Sequence, residues 1–236
     1  VISVNDSTIC SDGGPALFTA TSDTTAVNYL WGDNGSGTNS TVSGTVAGNY
    51  SVLVFDVNGC IGRDTAVMTI NRIPVVSVND SVICAGDPAA LFTATSDSTV
   101  AKYVWGDNGL GSNQTTTGTS AGNYSVEITD NNGCIGRDTG VCTVNALPVV
   151  TVNDSTICAG GLVSALFTAT SDTAATSYVW SENGTGIDPT SPGTVAGNYT
   201  ATITDKNGCI NSGTGALKLS ALPVLTVNDA EICIGA

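Results

Sequence analysis

One phrase of thirteen residues is written three times in this chain: GNYSVLVFDVNGC from Gly48 to Cys60, GNYSVEITDNNGC from Gly122 to Cys134, and GNYTATITDKNGC from Gly197 to Cys209. Other landmarks recur in step. LFTATSD begins at Leu17, Leu91 and Leu166, a tryptophan stands at Trp31, Trp105 and Trp180, and Val-Asn-Asp begins at Val4, Val78, Val152 and Val227. The spacings of this last set are 74, 74 and 75 residues. A chain copied at that period is expected to fold as a row of equivalent units, each long enough to bury a core of its own. The units are predicted over residues 1–74, 75–148 and 149–223, with 224–236 opening another, so the sequence reads as part of a longer array. The one extra residue falls between Cys158 and Leu166, in a Gly-rich turn, where an insertion costs least.

Strands are legible inside the repeat. Tyr124, Val126 and Ile128 alternate with Ser125, Glu127 and Thr129, the period of two of a half-buried strand. Asn132-Gly133 follows, and Asn-Gly favours a two-residue hairpin turn with both residues at positive φ. The chain is then expected to return as a strand near Thr139–Val144, with further strands near Val75–Val78, Leu91–Thr95 and Tyr103–Trp105. Short strands at about ten-residue spacing predict a β-sandwich. A composition of 28 Gly and 11% charged residues agrees with strands and turns. No apolar run reaches the roughly 18 residues of a membrane-spanning helix, so this segment is not expected to insert in a membrane. Twenty acidic residues against six basic ones give a net charge of -14, which repels nucleic acid and excludes DNA and RNA as partners.

A tryptophan in the third strand, AGNY opening a late strand, and a closing hairpin of the type TDxNGC together resemble the immunoglobulin-like and PKD-like repeats of Bacteroidota cell-surface proteins. The resemblance covers all three repeats. It implies an all-β tandem array of Ig-like or PKD-like sandwiches. It also implies O-glycan acceptors where Asp is followed by Ser or Thr and a small or apolar residue: Ser7, Thr24, Thr65, Ser81, Ser98, Ser155 and Thr173. Turn chemistry accounts for the same residues without a glycan.

Seven cysteines keep the repeat: Cys10 and Cys60, Cys84 and Cys134, Cys158 and Cys209, then Cys233, with Cys142 outside the pattern. Regular cysteines in a strand-rich chain suggest an oxidising, extracellular, secreted or surface setting. Zinc lacks material, since there is no His. Two pairings stand open. A bridge inside a repeat would join Cys84 to Cys134. These residues fall at opposite poles of a sandwich, separated by about 26 Å for a strand of about eight residues, against the roughly 7 Å between Cα atoms that a disulfide tolerates. Bridges between neighbouring repeats, Cys10 to Cys134 and Cys84 to Cys209, fit the layout. Cys158 and Cys233 would then meet hairpins beyond Ala236, and Cys60 a turn ahead of Val1.

Catalysis finds little to work with. The absence of His removes the Ser-His and Cys-His nucleophile systems, and no phosphate-binding Gly-rich motif is present. The carboxylate pairs Asp107 with Asp130 and Asp33 with Asp56 could supply a glycosidase-like acid and nucleophile, but they sit in turns that recur with the architecture, so no enzyme is expected. The oxygen-rich turns at Asp33, Asn34, Asp107, Asn108, Asp130 and Asn132 could hold calcium, with Asp6 as a further donor, or serve as Asx turns alone. The expected role is that of rigid, disulfide-stabilised spacers in an extracellular filament or adhesin, with neighbouring repeats and other copies of the chain as partners. The alternative is a module that binds a carbohydrate or protein ligand, which calls for aromatic-rich, divergent loops that are absent here.

Overall fold

A computed structural model describes residues 1–161 and 163–229. The first repeat contains β1 (Ile2–Val4), β2 (Ser7–Cys10), β3 (Ala16–Ser22), β4 (Ala26–Asp33), β5 (Thr41–Gly44), β6 (Gly48–Asp56) and β7 (Ile61–Asn71). The second runs through β8 (Val76–Val78), β9 (Ser81–Cys84), β10 (Ala90–Ser96), β11 (Val100–Asp107), β12 (Thr115–Gly118), β13 (Gly122–Asp130) and β14 (Ile135–Asn145). The third comprises β15 (Val150–Val152), β16 (Ser155–Cys158), β17 (Ala165–Ser171), β18 (Ala175–Glu182), β19 (Thr190–Gly193), β20 (Gly197–Asp205) and β21 (Ile210–Ser220). In each repeat a three-stranded sheet, β1-β3-β5 in the first, faces a four-stranded one, β2-β7-β6-β4.

This is an immunoglobulin-like sandwich whose first strand is shared between both sheets. β1 runs antiparallel to β3, and after a two-residue step β2 runs parallel to β7 in the opposite sheet. The recurring Val-Asn-Asp makes that step. Asn5 Oδ1 accepts the Thr19 N–H at 2.8 Å and its amide donates to the Leu17 carbonyl, holding one sheet, while Asp6 Oδ1 accepts the Val67 N–H at 2.8 Å in the other. Asn79 with Asp80, and Asn153 with Asp154, repeat the arrangement. The Asx pair thus holds both sheets at the step.

The core is equally repetitive. Phe18 stacks on Tyr50 with ring centroids 4.1 Å apart, and Phe92 on Tyr124 and Phe167 on Tyr199 at 4.0 Å. Trp31, Trp105 and Trp180 are buried beside them. Each indole N–H donates to a carbonyl eight residues on, those of Asn39, Asn113 and Asp188. The buried tyrosines are also satisfied: Tyr50 donates to the Val46 carbonyl at 3.0 Å, Tyr124 to Ser120 at 3.1 Å and Tyr199 to Val195 at 3.0 Å. This tyrosine corner fixes the turn that enters the late strand. Gly118, two residues before Ser120, lies under the Tyr124 ring where a Cβ would collide with the phenol.

Two compact units are present. The first joins Val1–Ser81 to Ala89–Thr143, and the second joins Val82–Pro88 to the chain from Val144 on. The short segment Val82–Pro88, which belongs to the second unit, carries Cys84, the partner of Cys209.

Candidate functional site

The candidate site is built from two short pieces of backbone, a hairpin and a turn. The hairpin joins β13 to β14. Asp130 carries it: its carbonyl accepts the Gly133 N–H at 3.1 Å, and its Oδ1 accepts the N–H groups of Asn132 and Cys134, each at 2.8 Å. Only Gly133, at φ 83°, is left-handed in this loop. The loop is therefore a three-residue connection, a turn followed by a glycine bulge, and not the two-residue Asn-Gly turn that the dipeptide suggests. The extra residue lets the Asp carboxylate sit beneath the loop and hold the cysteine N–H. Asp56 and Asp205 make the same two bonds, to Asn58 and Cys60 and to Asn207 and Cys209.

The turn follows the strand that pairs in parallel with the last strand of its repeat. The Gly13 N–H closes on the Cys10 carbonyl at 2.9 Å, and the Ser11 N–H reaches the Asn71 carbonyl at 2.8 Å. Around Cys84 the Asp87 N–H closes the turn and the Asp87 carboxylate accepts the Cys84 N–H. Around Cys158 the closing donor is Gly161. Both pieces thus present their cysteines from a hydrogen-bonded loop, in every repeat.

Two disulfides unite these pieces. Cys10 is bonded to Cys134 and Cys84 to Cys209, each pair with Cα atoms 5.6 Å apart. Each joins the turn of one repeat to the hairpin of the next, and Cys84 and Cys134, the pair of an intra-repeat bridge, are bonded to different partners. Cys134 and Cys209 are fully buried. Cys60, in the equivalent hairpin, is exposed and unbridged, as is Cys158 in the equivalent turn. Cys142 is unbridged and lies in the core at the place held by Met68 and Leu217 in the other repeats. Cys233 falls outside the described residues.

The linkers are held as well. Pro74 is buried, and the Val75 N–H donates to Asp97 Oδ1 at 2.7 Å. Arg72 forms an ion pair with Asp97, mostly exposed and so a minor contributor. In the second unit Pro148 is buried, its carbonyl accepts from the Asn211 amide at 2.8 Å, and the Val149 N–H donates to Asp172. Asp205 is buried with its Oδ2 lacking a hydrogen-bond partner.

The remaining predicted residues lie elsewhere. Asp33 and Asp107, both at φ 55°, end β4 and β11, and the amides of Asn34 and Asn108 donate to the carbonyls of Ala47 and Ala121. Asp107 is registered with Tyr124 and Asp130 with Val100, so the two carboxylates sit at opposite ends of β13, on the order of 20 Å apart at about 3.3 Å per residue. A glycosidase pair needs at most about 9.5 Å. Asp33 and Asp56 are separated in the same way. Among the described residues no three His, Cys, Asp or Glu side chains gather where a metal ion could be held. Of the serines and threonines singled out, Thr24 and Thr65 are exposed, while Ser7, Ser81, Ser98, Ser155 and Thr173 are half-buried. Missed by sequence reasoning were the parallel strand β2, β9 and β16 and the Asp clamp beneath each hairpin. The signals were present, as an apolar alternation resuming after Asn-Asp and as an Asp four residues before each hairpin cysteine.

No known protein family's profile matches the chain, and no curated protein sequence matches it. Solved structures do align. A three-Ig stretch of titin shares 12% identity over 92% of this chain and 96% of that one, with a TM-score of 0.45. A bacterial ice-binding adhesin shares 19% over 93% of this chain and 98% of the other, with a TM-score of 0.41. Domains 1–5 of Sidekick-1 share 12% over 94% of this chain and 59% of that one, with a TM-score of 0.33.

Proposed function

We propose that the chain is a segment of an extracellular or cell-surface filament or adhesin in which each repeat is a spacer and each joint is stapled by a disulfide. The observation that carries this reading is the pairing of Cys10 with Cys134 and of Cys84 with Cys209, each tying a repeat to its successor and none closing a repeat on itself. A disulfide within a domain stabilises that domain. One between successive domains limits how they move, which a ligand-binding loop does not need and a length-setting spacer does. Linkers anchored by a buried proline and by hydrogen bonds from Val75 and Val149 serve the same end. Stable disulfides suit an oxidising compartment, and the strong negative charge suits a soluble surface.

Small-angle scattering of the chain before and after reduction tests the reading. Reduction is expected to raise the flexibility and change the radius of gyration. An unchanged profile would show that the bridges do not govern the spacing of the repeats.

A further inference from the structure

Each joint holds two sulfurs, and solvent reaches their residues unequally. Cys134 and Cys209, on the hairpin side, are 0% exposed. Cys10 and Cys84, on the turn side, are half-buried. Thiol–disulfide exchange proceeds by attack of a thiolate on one of the two sulfurs, so its course depends on which of them can be reached. In the folded joint the hairpin sulfur is closed to attack. The turn cysteine is left as the point of entry, and the hairpin cysteine as the group that departs.

The backbone on both sides is held independently of the sulfur bond. The Cys134 N–H donates to Asp130 Oδ1 at 2.8 Å, and its carbonyl accepts the Asp130 N–H at 2.9 Å. Asp205 fixes Cys209 in the same manner, with both bonds at 2.9 Å. On the turn side the Gly13 N–H closes on the Cys10 carbonyl at 2.9 Å, and the Asp87 N–H on the Cys84 carbonyl at 3.0 Å. A hairpin sulfur that departs is therefore kept beside the bond it has left.

Charge selects among thiols. Asp12 and Asp87 stand exposed in the two turns, and the Asp87 carboxylate accepts the Cys84 N–H at 2.8 Å. A cationic thiol is drawn to such a turn, and an anionic one is repelled.

We propose that Cys10 and Cys84 are modification sites, at which a small cationic thiol forms a mixed disulfide and reversibly unlocks the joint. The inference rests on the reading of the two bridges as joints of an array, and gives each joint a chemical release. With cysteamine as the thiol, its thiolate attacks the Cys10 sulfur, and a new sulfur–sulfur bond forms there. The bond to Cys134 breaks with its electron pair on the Cys134 sulfur, which takes up the proton that cysteamine gave to solvent. One thiol and one disulfide enter, and one thiol and one disulfide leave, so the step needs no oxidant or reductant beyond the thiol itself. Return attack by the Cys134 thiolate on the Cys10 sulfur expels cysteamine and locks the joint again.

The test uses the full chain, with its free thiols first capped by N-ethylmaleimide and its Cys10–Cys134 and Cys84–Cys209 peptides confirmed by mapping without reduction. After brief exposure to cysteamine, a heavy-isotope maleimide caps each thiol newly set free, and a second map locates cysteamine and cap at each joint. Chains with cysteamine on the turn cysteine and the cap on the hairpin cysteine are expected to exceed the reverse arrangement by about tenfold or more, with the ratio falling to near one in concentrated urea. A ratio near one in the folded chain, or no adduct at a cysteamine concentration that opens both bridges in urea, would overturn the proposal. Mercaptoethanesulfonate, an anionic thiol, is expected to open the joints more slowly by about threefold or more at low salt and equal thiolate concentration. Equal rates would overturn the choice of a cationic thiol. Absence of the two bridged peptides at the outset would refute the joints themselves, an outcome distinct from a bridge that is present and opens from either side.

Discussion

Cys84 and Cys209 stand 125 positions apart in the chain and 5.6 Å apart at their Cα atoms. A bond that closes so long a loop removes much freedom from the unfolded chain, and breaking it is expected to cost about 2–5 kcal/mol. Cys209→Ser should therefore lower the urea midpoint of the oxidised protein, whereas Cys60→Ser, at an exposed and unbridged site, should change stability by less than about 0.5 kcal/mol. Equal effects of the two substitutions would mean that the bridge contributes nothing.

Trp105 is 5% exposed and donates its indole N–H to the Asn113 carbonyl. Trp105→Ala leaves a cavity and an orphaned acceptor, and is expected to cost about 3–5 kcal/mol, the range for deleting a large buried aromatic. Chemical unfolding followed by circular dichroism would report it, with the fluorescence of Trp31 and Trp180 as a control on the other two repeats.

The tyrosine corner allows a prediction of rank. Tyr124→Phe loses one hydrogen bond, to the Ser120 carbonyl, and is expected to cost about 0.5–1.5 kcal/mol. Gly118→Ala keeps that bond in principle but drives a methyl group into the phenol ring from the opposite sheet, against a ring held in the core by its stacking on Phe92. The glycine substitution should be the costlier of the two, by the 1–3 kcal/mol typical of overpacking or more. A smaller effect at Gly118 than at Tyr124 would show that the ring has room to shift.

How much of this was legible follows from where each signal resides. The late strand was readable because Tyr124, Val126 and Ile128 face a core while their neighbours face water, and that asymmetry is written residue by residue. The step from β8 to β9 was not: the inward positions pass from Val76 and Val78 to Ser81 and Ile83, a change of phase across Asn79-Asp80 that only a switch of sheets explains. What makes the step, Asn79 gripping β10 and Asp80 gripping β14, depends on strands far away in sequence. The hairpin was located correctly, but its turn type was misjudged. Asn-Gly carries a local preference, and the carboxylate of Asp130 below the loop overrides it. The cysteine partners were left between two arrangements, since the choice depends on which poles of successive repeats face each other. The carboxylates at Asp107 and Asp130 lie near in sequence and far apart in space, which a strand of nine residues dictates once its ends are known.

The Asp clamp gives the last test, and the repeats supply its control. Asp56 and Asp130 make the same pair of bonds to the loop N–H groups, but Asp130 is 4% exposed and Asp56 is half-buried. Removing an acceptor leaves its donors unpaired, and the penalty depends on whether water can replace it. Near Cys60 water is at hand. Cys134 is fully buried, so its N–H has no substitute partner within reach of solvent. Asp130→Ala is therefore expected to cost about 1–3 kcal/mol, and Asp56→Ala distinctly less. The clamp also positions the cysteine, so Asp130→Ala should slow formation of the Cys10–Cys134 bridge during oxidative refolding while Cys84–Cys209 forms at its usual rate. Timed acid quenches followed by peptide mapping would separate the two bridges. Unchanged kinetics at Cys134 would show that docking, and not the Asp130 carboxylate, places the thiol for reaction.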